Sequence, residues 1–507
     1  MRVMAGLLTE PPRSDETGSG SDQELVVIAH RGPVRFAARD ARRVVERNAG
    51  GLVTALRDAA RNTAGDMRWI CAAASDEDRK VARRERWATV PLGDASCLVR
   101  MLDLEPQVHH DFYAVIANPL LWFIQHNMWD HALAPDITRT EWSAWTNGYV
   151  AVNRKFAGAV ADPHDVPPGS VVMIHDYHFY LVPEMVRANR PDLFLHHFSH
   201  IPWPQPDAWR VLPPAMREAV FRGLLGSDIV GFHTQRDVRN FLLGCLDVLD
   251  ADVDFATGRV RLDHRTITVR HYPISVDEAS LQEIAATPEA ANRRAELASA
   301  RPDKVVLRVD RTDPSKNIVR GFHAFARMLE EHPESRGRVT FLALLQPSRQ
   351  DVRQYADYLR EIHATVDAVN ARFATSSWLP IDLRLGDDLP LTMAAYASFD
   401  VLMVNPVFDG MNLVAKEALL VNESAGVLAL SENAGAHAEL GAIALTLHPF
   451  DIEQQAGALW EGLTMPIEER RMRQQIGAEI VRTNDVQKWL QRQLDDIDLL
   501  RGTAARR

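Results

Sequence analysis

The sequence predicts an α/β protein built from two doubly wound domains, and three observations lead to this prediction. The chain has 507 residues with 46% hydrophobic content, which is too long for a single core of ordinary size. Short β-rich runs alternate with helical stretches of about 10 to 20 residues, a pattern typical of parallel sheets that are covered by helices on both faces. This alternation occurs in two successive series, which indicates one sheet for each domain.

The first series of predicted strands occupies the N-terminal half. Each strand is a short run rich in β-branched and aromatic residues. The runs are ELVVIAHR (24–31), SVVMIHDY (170–177), LFLHHFSHI (193–201), DIVGFHT (228–234) and ITVRHYPI (267–274). Helix-like stretches such as PEMVRANR and RDVRNFLLGCLDVL separate them.

The second series begins with the apolar run KVVLRVDR. Long amphipathic helices, among them QDVRQYADYLREIHATVDAVNARF, lie between its strands. The predicted strands are KVVLRVDR (304–311), VTFLALLQ (339–346), IDLRLGDD (381–388), DVLMVNP (400–406) and GVLALS (426–431). A last amphipathic helix, DVQKWLQRQLDDIDLL (485–500), needs a surface to cover.

The junction between the domains is expected at YPISVDE, near Pro273. There an X-Pro segment, which favours extended backbone, follows the last strand of the first series. We therefore expect an N-terminal domain over 24–275 and a C-terminal domain over 276–484. The start of the chain has too short an apolar run for a signal peptide and then becomes rich in Pro, Ser, Gly and Asp, so residues 1–23 are expected to be a disordered tail.

Charge and cysteine content narrow the class of partner. A net charge of −11 with scattered Lys and Arg argues against nucleic acid, whose binders carry a basic stripe. Cys71, Cys97 and Cys245 are too few and too far apart for a disulfide framework, which suits a reducing cytoplasm. The most apolar stretch is interrupted by two Glu and a His, so no membrane span is expected. Small-molecule partners are expected, and a homo-oligomer is compatible with the sequence.

Ligands of open α/β sheets bind beyond the carboxyl ends of the strands, and four strand exits carry unusual polar chemistry. The first comprises HRGPV (30–34) and RNAGGLVTAL (47–56). Gly50 and Gly51 before a helical pattern allow close backbone approach to an anion at the helix N-terminus. The alternative is a simple turn, with Arg31 on the surface.

The second exit combines IHDYH (174–178) with HHFSHIPWP (196–204). Its five histidines suggest zinc, but strand alternation separates His196 from His197, and no HExxH helix or Cys partner is present. We expect instead that Asp176 and His200 point into the crevice and bind sugar hydroxyls, with histidines satisfied inside the core as the alternative. The acidic run DADVDFA (250–256) lacks the glycine and terminal glutamate of a calcium loop and is interpreted as a solvated turn.

The third exit, VDRTDPSKN (309–317), places two cations after a buried strand. Arg311 offers a planar fork and Lys316 a point charge, a combination suited to a diphosphate, with Asp313 expected to orient Arg311. The alternative is a surface ion-pair cluster.

The fourth exit is NPVFDGMNLVAKEALLVN (405–422). Asp409 and Gly410 turn the chain, and a helix follows whose first N–H groups, at 411–413, favour an anion. Glu417, on the second turn, can reach a ribose diol. The alternative is a capping Asp with a solvated Glu.

Taken in order, these motifs resemble those of the trehalose-6-phosphate synthases, which are retaining glycosyltransferases of the GT-B fold. The resemblance covers residues 25–495. The matching pieces are HRGPV, NAGGL, FYAVIANPLLWF, IHDYH, SHIPWP, GFHT, VDRTDPSKN, PSRQDV and DGMNLVAKE.

The resemblance implies a role for individual residues. It assigns catalysis to Arg311, Lys316, Asp176 and His200, and His200 also contacts the donor glucose. It assigns donor binding to Gly50, Gly51, Asp409, Gly410, Met411, Asn412, Leu413, Val414 and Glu417. It assigns the sugar-phosphate acceptor to Arg31, Tyr113, Trp122, Asp176 and Arg349.

The implied reaction moves glucose from UDP- or GDP-glucose to glucose 6-phosphate with retention, giving trehalose 6-phosphate. It needs no metal and no cofactor beyond the nucleotide-sugar co-substrate. The resemblance also implies that the two domains face each other across a cleft and that helix 485–500 crosses back to the N-terminal domain.

Three departures from the family pattern keep alternatives open: Phe408 stands where an arginine is usual, Ala72 where a second tryptophan is frequent, and Asn317 where a glycine is common. The main alternative is a related enzyme that couples a nucleotide-linked cyclitol to a sugar phosphate. Two further alternatives are a sugar-phosphate sensor without turnover and a metal-dependent hydrolase built on the histidines.

Overall fold

The computed structural model describes residues 24–39, 42–47, 53, 67–92, 95–300 and 302–504. The tail predicted at 1–23 and the glycines Gly50 and Gly51 lie outside these residues. Within them the chain forms two large sheets with helices, which confirms the predicted α/β class.

The first sheet has seven parallel strands, extended by antiparallel strands at both edges. Numbered along the chain, the parallel strands lie in the order 3-2-1-4-5-6-7, so the direction of winding reverses between Leu25–Ile28 and Val171–His175. Across the sheet the strands are Asp252–Asp254, Arg259–Leu262, Arg265–His271, Ile229–Phe232, Phe194–Phe198, Val171–His175, Leu25–Ile28, Arg68–Ala72, Ala95–Leu102 and Ala88–Leu92.

The second sheet has six strands, all parallel, in the order 3-2-1-4-5-6 of doubly wound nucleotide-binding folds. Its winding reverses between Lys304–Arg311 and Val401–Val404. Across the sheet the strands are Ile381–Leu385, Val339–Gln346, Lys304–Arg311, Val401–Val404, Val427–Ser431 and Leu445–Leu447.

Several strands were not predicted. Val34–Arg39 and Arg42–Arg47 pair as a separate antiparallel hairpin, and the strands at 68–72, 88–92 and 95–102 complete one edge of the first sheet. The interpretation of 250–256 as a turn was wrong, because Asp252–Asp254 pairs antiparallel with Arg259–Leu262. Edge strands with one face in solvent, such as Ala88–Leu92 and Asp252–Asp254, carry little apolar signal. Arg68–Ala72 lies inside the sheet and is buried, so its short run RWICA could have indicated it.

Helices connect the parallel strands in both halves. Those of the first half are Asp76–Arg84, Pro106–His110, Asp111–Trp122, Phe123–Gln125, Arg139–Ser143, Ala144–Val150, Ala151–Ala159, Val182–Asn189, Pro214–Leu225 and Gln235–Leu249. Those that follow are Glu278–Ala285, Pro288–Ala300, Ile318–Glu331, Arg353–Phe373, Leu389–Ser398, Leu413–Val421, His437–Leu440, Ile452–Thr464, Ile467–Thr483 and Val486–Ala504. Short 3-10 turns occupy Tyr177–Phe179, Pro206–Val211, Pro314–Lys316 and Pro333–Ser335.

Both faces of each sheet are covered, as the nearly continuous apolar strands require. Val26 and Val27 are neighbours on one strand but belong to different hydrophobic clusters, and so do Val306 and Leu307. One cluster contains Val27 and Leu307 together, so apolar packing continues from one half of the chain into the other.

The C-terminal helix Val486–Ala504 packs against the first half. The indole N–H of Trp489 donates to the Tyr272 carbonyl oxygen at 3.1 Å, and the Tyr272 hydroxyl donates to Asp496 at 2.7 Å. The domain limits at 275/276 and 484/485 stay predictions. In the described ranges, no helix combines the length and the apolarity that crossing a bilayer demands.

Candidate functional site

The turn after strand Lys304–Arg311 positions Lys316. Asp313 caps this 3-10 turn by accepting from the Ser315 amide at 3.0 Å, and Asn317 ends it in the left-handed region, with φ 59°. The Lys316 Nζ lies 2.5 Å from Asp409 Oδ2 and 3.9 Å from Asp310 Oδ1. Burial alone would lower the pKa of Lys316, but these two carboxylates raise it, so the ammonium stays charged.

Asp409 lies in the loop that precedes helix Leu413–Val421. Besides Lys316, it accepts a hydrogen bond from the Asn412 side chain at 3.0 Å. Burial alone would raise the pKa of Asp409, but Lys316 lowers it, so the carboxylate is ionised. Asn412 has φ 74° and caps the helix, accepting from the Ala415 amide at 3.4 Å. The helix predicted after Gly410 therefore starts beside a Lys316–Asp409 ion pair, which the sequence did not predict.

Gly410 brings the two halves of the chain into close contact. A Cβ at this position would lie 2.2 Å from the His200 carbonyl oxygen, which no side chain could tolerate without backbone movement. Met411 is buried, and Leu413, Val414 and Glu417 are half-buried on the first turns of the helix. The Tyr396 hydroxyl donates to Glu417 at 3.1 Å, and burial raises the pKa of Glu417.

Arg349 joins the two halves from the other side. Its guanidinium lies 4.1 Å from the centre of the Trp122 ring and donates to the Tyr177 hydroxyl at 3.1 Å. It also lies 3.2 Å from Asp313 and donates to the Tyr355 hydroxyl at 2.5 Å. The prediction that Asp313 orients Arg311 was wrong, because Asp313 forms its ion pair with Arg349 instead.

Arg311 lies against the same tryptophan, with its guanidinium carbon 5.7 Å from the Trp122 ring centre. Five side chains from both halves thus converge, and we call them the cleft cluster: Trp122, Arg311, Lys316, Arg349 and Asp409. The cleft cluster lies at the switch point of the second sheet, between Lys304–Arg311 and Val401–Val404, where doubly wound folds bind ligands.

Asp176 and His200 lie at the switch point of the first sheet. Asp176 adopts φ 76° after strand Val171–His175 and accepts from the His200 amide at 3.2 Å. Burial raises the pKa of Asp176 to about 6, against the lowering effect of the His200 and Tyr177 amides and of Arg349 and Arg311. Burial also lowers the pKa of His200 well below its usual value, so its ring is neutral; its Nε2 lies 3.1 Å from His175 Nδ1.

Tyr113 and Arg31 border a column of stacked rings. The His30 ring lies 5.0 Å from that of Tyr113 and 4.6 Å from that of His178. Burial, the neighbouring His109 and the charges of Arg31 and Arg349 lower the pKa of His30 to about 3. Arg31 is exposed, and its carbonyl oxygen accepts from Trp69 at 3.2 Å. The charges of Arg31 and Arg349, from different halves of the chain, thus both disfavour protonation of His30.

The histidines in IHDYH and HHFSHIPWP are dispersed rather than convergent. His196 and His197 are both fully buried within strand Phe194–Phe198, whereas His178 stacks on His30. In the part of the chain that the structure describes, no three His, Cys, Asp or Glu side chains are arranged to hold a metal ion. The absence of a metal from the reaction stays a prediction.

Sequence reasoning missed Tyr177, Tyr355 and Asp310 as neighbours of the cleft cluster. Tyr177 belongs to IHDYH, so the motif itself could have indicated it. Tyr355 lies on helix Arg353–Phe373 with no local signal, and its contact with Arg349 depends on packing alone. Of the predicted site residues, Gly50 and Gly51 lie outside the described part of the chain.

Known relatives are similar to this chain over most of its length. A trehalose-6-phosphate synthase of Mycolicibacterium vanbaalenii is 33% identical over 499 residues, covering 96% of this chain and 98% of the relative. A bifunctional trehalose-6-phosphate synthase/phosphatase of Thermoproteus tenax is 37% identical over 384 residues, covering 75% of this chain. The chain spans about half the length of the T. tenax protein (50%).

Solved structures share the fold. A trehalose-6-phosphate protein from E. coli bound with UDP-2-fluoro glucose matches with a TM-score of 0.80 and 26% identity, covering 94% of this chain and 99% of that one. An alpha,alpha-trehalose-phosphate synthase (UDP-forming) from Burkholderia xenovorans in complex with glucose-6-phosphate matches with a TM-score of 0.78 and 27% identity, covering 94% and 100%. These likenesses confirm the predicted GT-B fold.

The family itself follows from a match that runs nearly end to end. The model of glycosyltransferase family 20 matches residues 23–498, which include both sheets, the cleft cluster and the C-terminal helix as far as residue 498. This confirms the resemblance to trehalose-6-phosphate synthases that the motifs indicated. The chain belongs to glycosyltransferase family 20.

Proposed function

We propose that this chain transfers glucose from UDP-glucose to glucose 6-phosphate with retention of configuration, giving trehalose 6-phosphate. The observation that carries the proposal is the 2.5 Å contact of Lys316 with Asp409 beside the N-terminus of helix Leu413–Val421. A buried cation next to a helix N-terminus suits a diphosphate leaving group, and a carboxylate in contact with that cation suits the hydroxyls of the attached sugar.

The donor is proposed to lie in the second half of the chain. Arg311 and Lys316 hold the diphosphate with the amides at 411–413, Glu417 binds the ribose, and Asp409 binds the donor glucose together with His200. Support comes from the position of Arg311, Lys316 and Asp409 at one switch point and from the E. coli relative, which was solved with UDP-2-fluoro glucose. GDP-glucose is the alternative donor.

The acceptor is proposed to lie between Arg349, Arg31, Tyr113 and Trp122. Two guanidinium groups suit a terminal phosphate, and the aromatic rings suit the face of a sugar. The side chain of Arg349 is only 8% exposed and is held by Asp313 and two tyrosine hydroxyls, so it is pre-organised for a bidentate contact. The B. xenovorans relative was solved with glucose-6-phosphate, which supports this acceptor.

The proposed reaction needs no enzyme nucleophile. The bond between the anomeric carbon and the phosphate oxygen breaks while the acceptor hydroxyl attacks from the same face, and the departing phosphate oxygen takes the hydroxyl proton. Negative charge grows on the phosphate, so Arg311, Lys316 and the helix N-terminus stabilise the transition state more than the ground state. Asp176, with its pKa near 6, and neutral His200 orient the hydroxyls around the reacting carbon.

The test is a donor and acceptor panel with the purified protein. UDP-glucose with glucose 6-phosphate is expected to release UDP and to give a product whose two anomeric protons both show the α coupling by NMR. Binding of both substrates without product would support the sensor alternative and overturn the proposal. If a chelator lowers turnover, the proposal that the reaction needs no metal is overturned.

The cyclitol alternative is tested in the same panel. Phe408, which replaces the usual arginine, is the chain neighbour of Asp409, the residue proposed to bind the donor sugar. If a nucleotide-linked cyclitol is transferred with a kcat/KM well above that of UDP-glucose, the chain is a pseudo-glycosyltransferase and the glucose donor is wrong.

A further inference from the structure

A cavity of about 490 Å³ lies beside the cleft cluster without containing any of its residues. This volume falls in the range of small-molecule sites, about 300–1,000 Å³. Both halves of the chain line it, since Phe408 comes from the second half and the remaining residues from the first. The lining residues are Gln125, Asn127, His131, Pro202, Trp203, Pro204, Gln205, Asp207, Ala208, Arg236, Asp237, Asn240 and Phe408.

The walls combine flat apolar surface with neutral amides. Phe408 is half-buried and Pro202 and Pro204 are buried, while four amide side chains supply both donors and acceptors. The charged groups of the wall have partners of their own, since Asp207 lies 3.4 Å from Arg210 and the Asp237 carboxylate accepts from the Trp203 amide at 2.9 Å and from the Thr234 hydroxyl. Such a surface suits a neutral molecule with many hydroxyl groups better than an anion or a cation.

Two buried donors in this wall lack acceptors. Gln125 is fully buried, and its side-chain oxygen accepts from the Tyr180 hydroxyl at 2.7 Å, but its Nε2 has no hydrogen-bond partner among the described residues. The indole N–H of Trp203, also buried, is likewise unsatisfied within the described part of the chain. Both donors are closed off from solvent, so a ligand in the cavity does not reach them, and the exposed amides of Asn127 and Gln205 are the groups that it can bind.

The cavity is separate from the cleft cluster but shares backbone with it. The Arg236 guanidinium lies 5.8 Å from the centre of the Phe408 ring and donates to the Asn433 carbonyl oxygen at 3.3 Å. That same carbonyl oxygen accepts from the Asp409 amide at 3.2 Å. The Asn433 carbonyl oxygen therefore links Arg236, in the cavity wall, to the backbone of Asp409 in the cleft cluster.

We propose that this cavity is a second carbohydrate site, which binds a neutral sugar of disaccharide size apart from the two substrates. Phe408 supplies the stacking face, and Asn127, Gln205 and Asn240 supply hydrogen bonds to hydroxyls. The site does not depend on the proposed transferase activity, since none of its residues is assigned to donor or acceptor.

The test is calorimetric titration of the whole protein with trehalose and with maltose, in the absence and in the presence of saturating UDP and glucose 6-phosphate. At least one disaccharide is expected to bind under both conditions, because the nucleotide and the sugar phosphate fill the cleft and leave the cavity free. Ala208→Phe, which fills the cavity from the turn Pro206–Val211, is expected to weaken that binding by about tenfold or more. Arg236→Gln should weaken it by a smaller factor, since this exposed side chain can be changed without disturbing the core.

The matched control is Ala256→Phe, the same substitution at an exposed position in the turn before strand Arg259–Leu262. It should leave disaccharide binding unchanged. The proposal is overturned if neither sugar binds, if UDP and glucose 6-phosphate abolish the binding, or if Ala208→Phe and Arg236→Gln both bind as tightly as the unaltered protein.

Discussion

Replacing Lys316 by alanine removes the cation that we place on the leaving phosphate, and kcat is expected to fall by about 10²–10³-fold. This corresponds to about 3–4 kcal/mol, the effect of deleting one pre-organised donor that stabilises developing negative charge. The donor KM should change less, because the contact strengthens as the phosphate departs. Lys316→Gln, which keeps a polar side chain but loses the charge, should lose a similar factor in kcat.

The same substitution also costs stability, because Asp409 is left without its cation. Removing one partner of a fully buried ion pair costs about 3–5 kcal/mol. Since the Lys316 and Asp409 side chains are still 14% and 16% exposed, the loss should lie below that range. Lys316 lowers the pKa of Asp409, so the pair stabilises the fold above the ordinary carboxyl pKa. The stability difference between the two proteins should therefore shrink as the pH falls below about 4.

The assay is UDP release at saturating substrates, with urea unfolding of each variant measured in parallel. The matched control is Lys304→Ala. Lys304 is the first residue of strand Lys304–Arg311, far from the turn that holds Lys316, and forms a 3.0 Å ion pair with Asp400. That variant should lose some stability and keep its kcat. Near-normal kcat in both Lys316 variants, or an equal loss of kcat in Lys304→Ala, would refute the reasoning.

Three further predictions concern the acceptor, the contact between the halves and the pH dependence of stability. Arg349→Ala should weaken transition-state and acceptor binding by about 2–5 kcal/mol, seen chiefly as a raised KM for glucose 6-phosphate; an unchanged acceptor KM would place the phosphate elsewhere. Gly410→Ala should lower both activity and urea stability, because its Cβ would meet the His200 carbonyl oxygen at 2.2 Å. The control is Gly457→Ala in helix Ile452–Thr464, where an added Cβ would have no neighbouring atom within 4 Å. That substitution should leave the stability unchanged or raise it by up to about 1 kcal/mol. The pKa of Asp176 is raised to about 6 in the folded protein. The protonated carboxyl therefore contributes fully to folding stability below the unfolded-state pKa of 3.8, and this contribution is lost as the pH rises through 6. Relative to Asp176→Asn, the unaltered protein should therefore lose about 2 kcal/mol of urea stability between pH 4 and about 6.5, and a constant difference across that range would contradict the pKa.

The strands of the second sheet were predictable because a parallel strand covered on both faces must be apolar at nearly every position. VTFLALLQ satisfies this rule, KVVLRVDR does so over its apolar run 305–307, and the observed strands Lys304–Arg311 and Val339–Gln346 coincide with the two predictions. The hairpin at 34–47 was missed, since its exposed faces are rich in arginine and carry no continuous apolar run.

Three of the five residues of the cleft cluster were also foreseeable from local pattern. Arg311, Lys316 and Asp409 follow the carboxyl ends of two strands that flank a switch point, so local pattern and the rule for α/β sheets bring them together. The helix after Gly410 was readable from DGMN and the apolar pattern that follows, because turn and capping chemistry acts within a few residues.

Packing between distant segments set the remaining features of the site. The partner of Asp313 is Arg349 rather than Arg311, and Arg349 lies on Trp122, which is more than 200 residues away along the chain. The raised pKa of Asp176 and the lowered pKa of His200 both arise from burial in the folded protein. Local sequence sets backbone geometry and the chemistry of each strand exit, because those depend on near neighbours. Which charged groups meet, and how much water surrounds them, depends on the closure of two separately wound sheets, and no single segment encodes that.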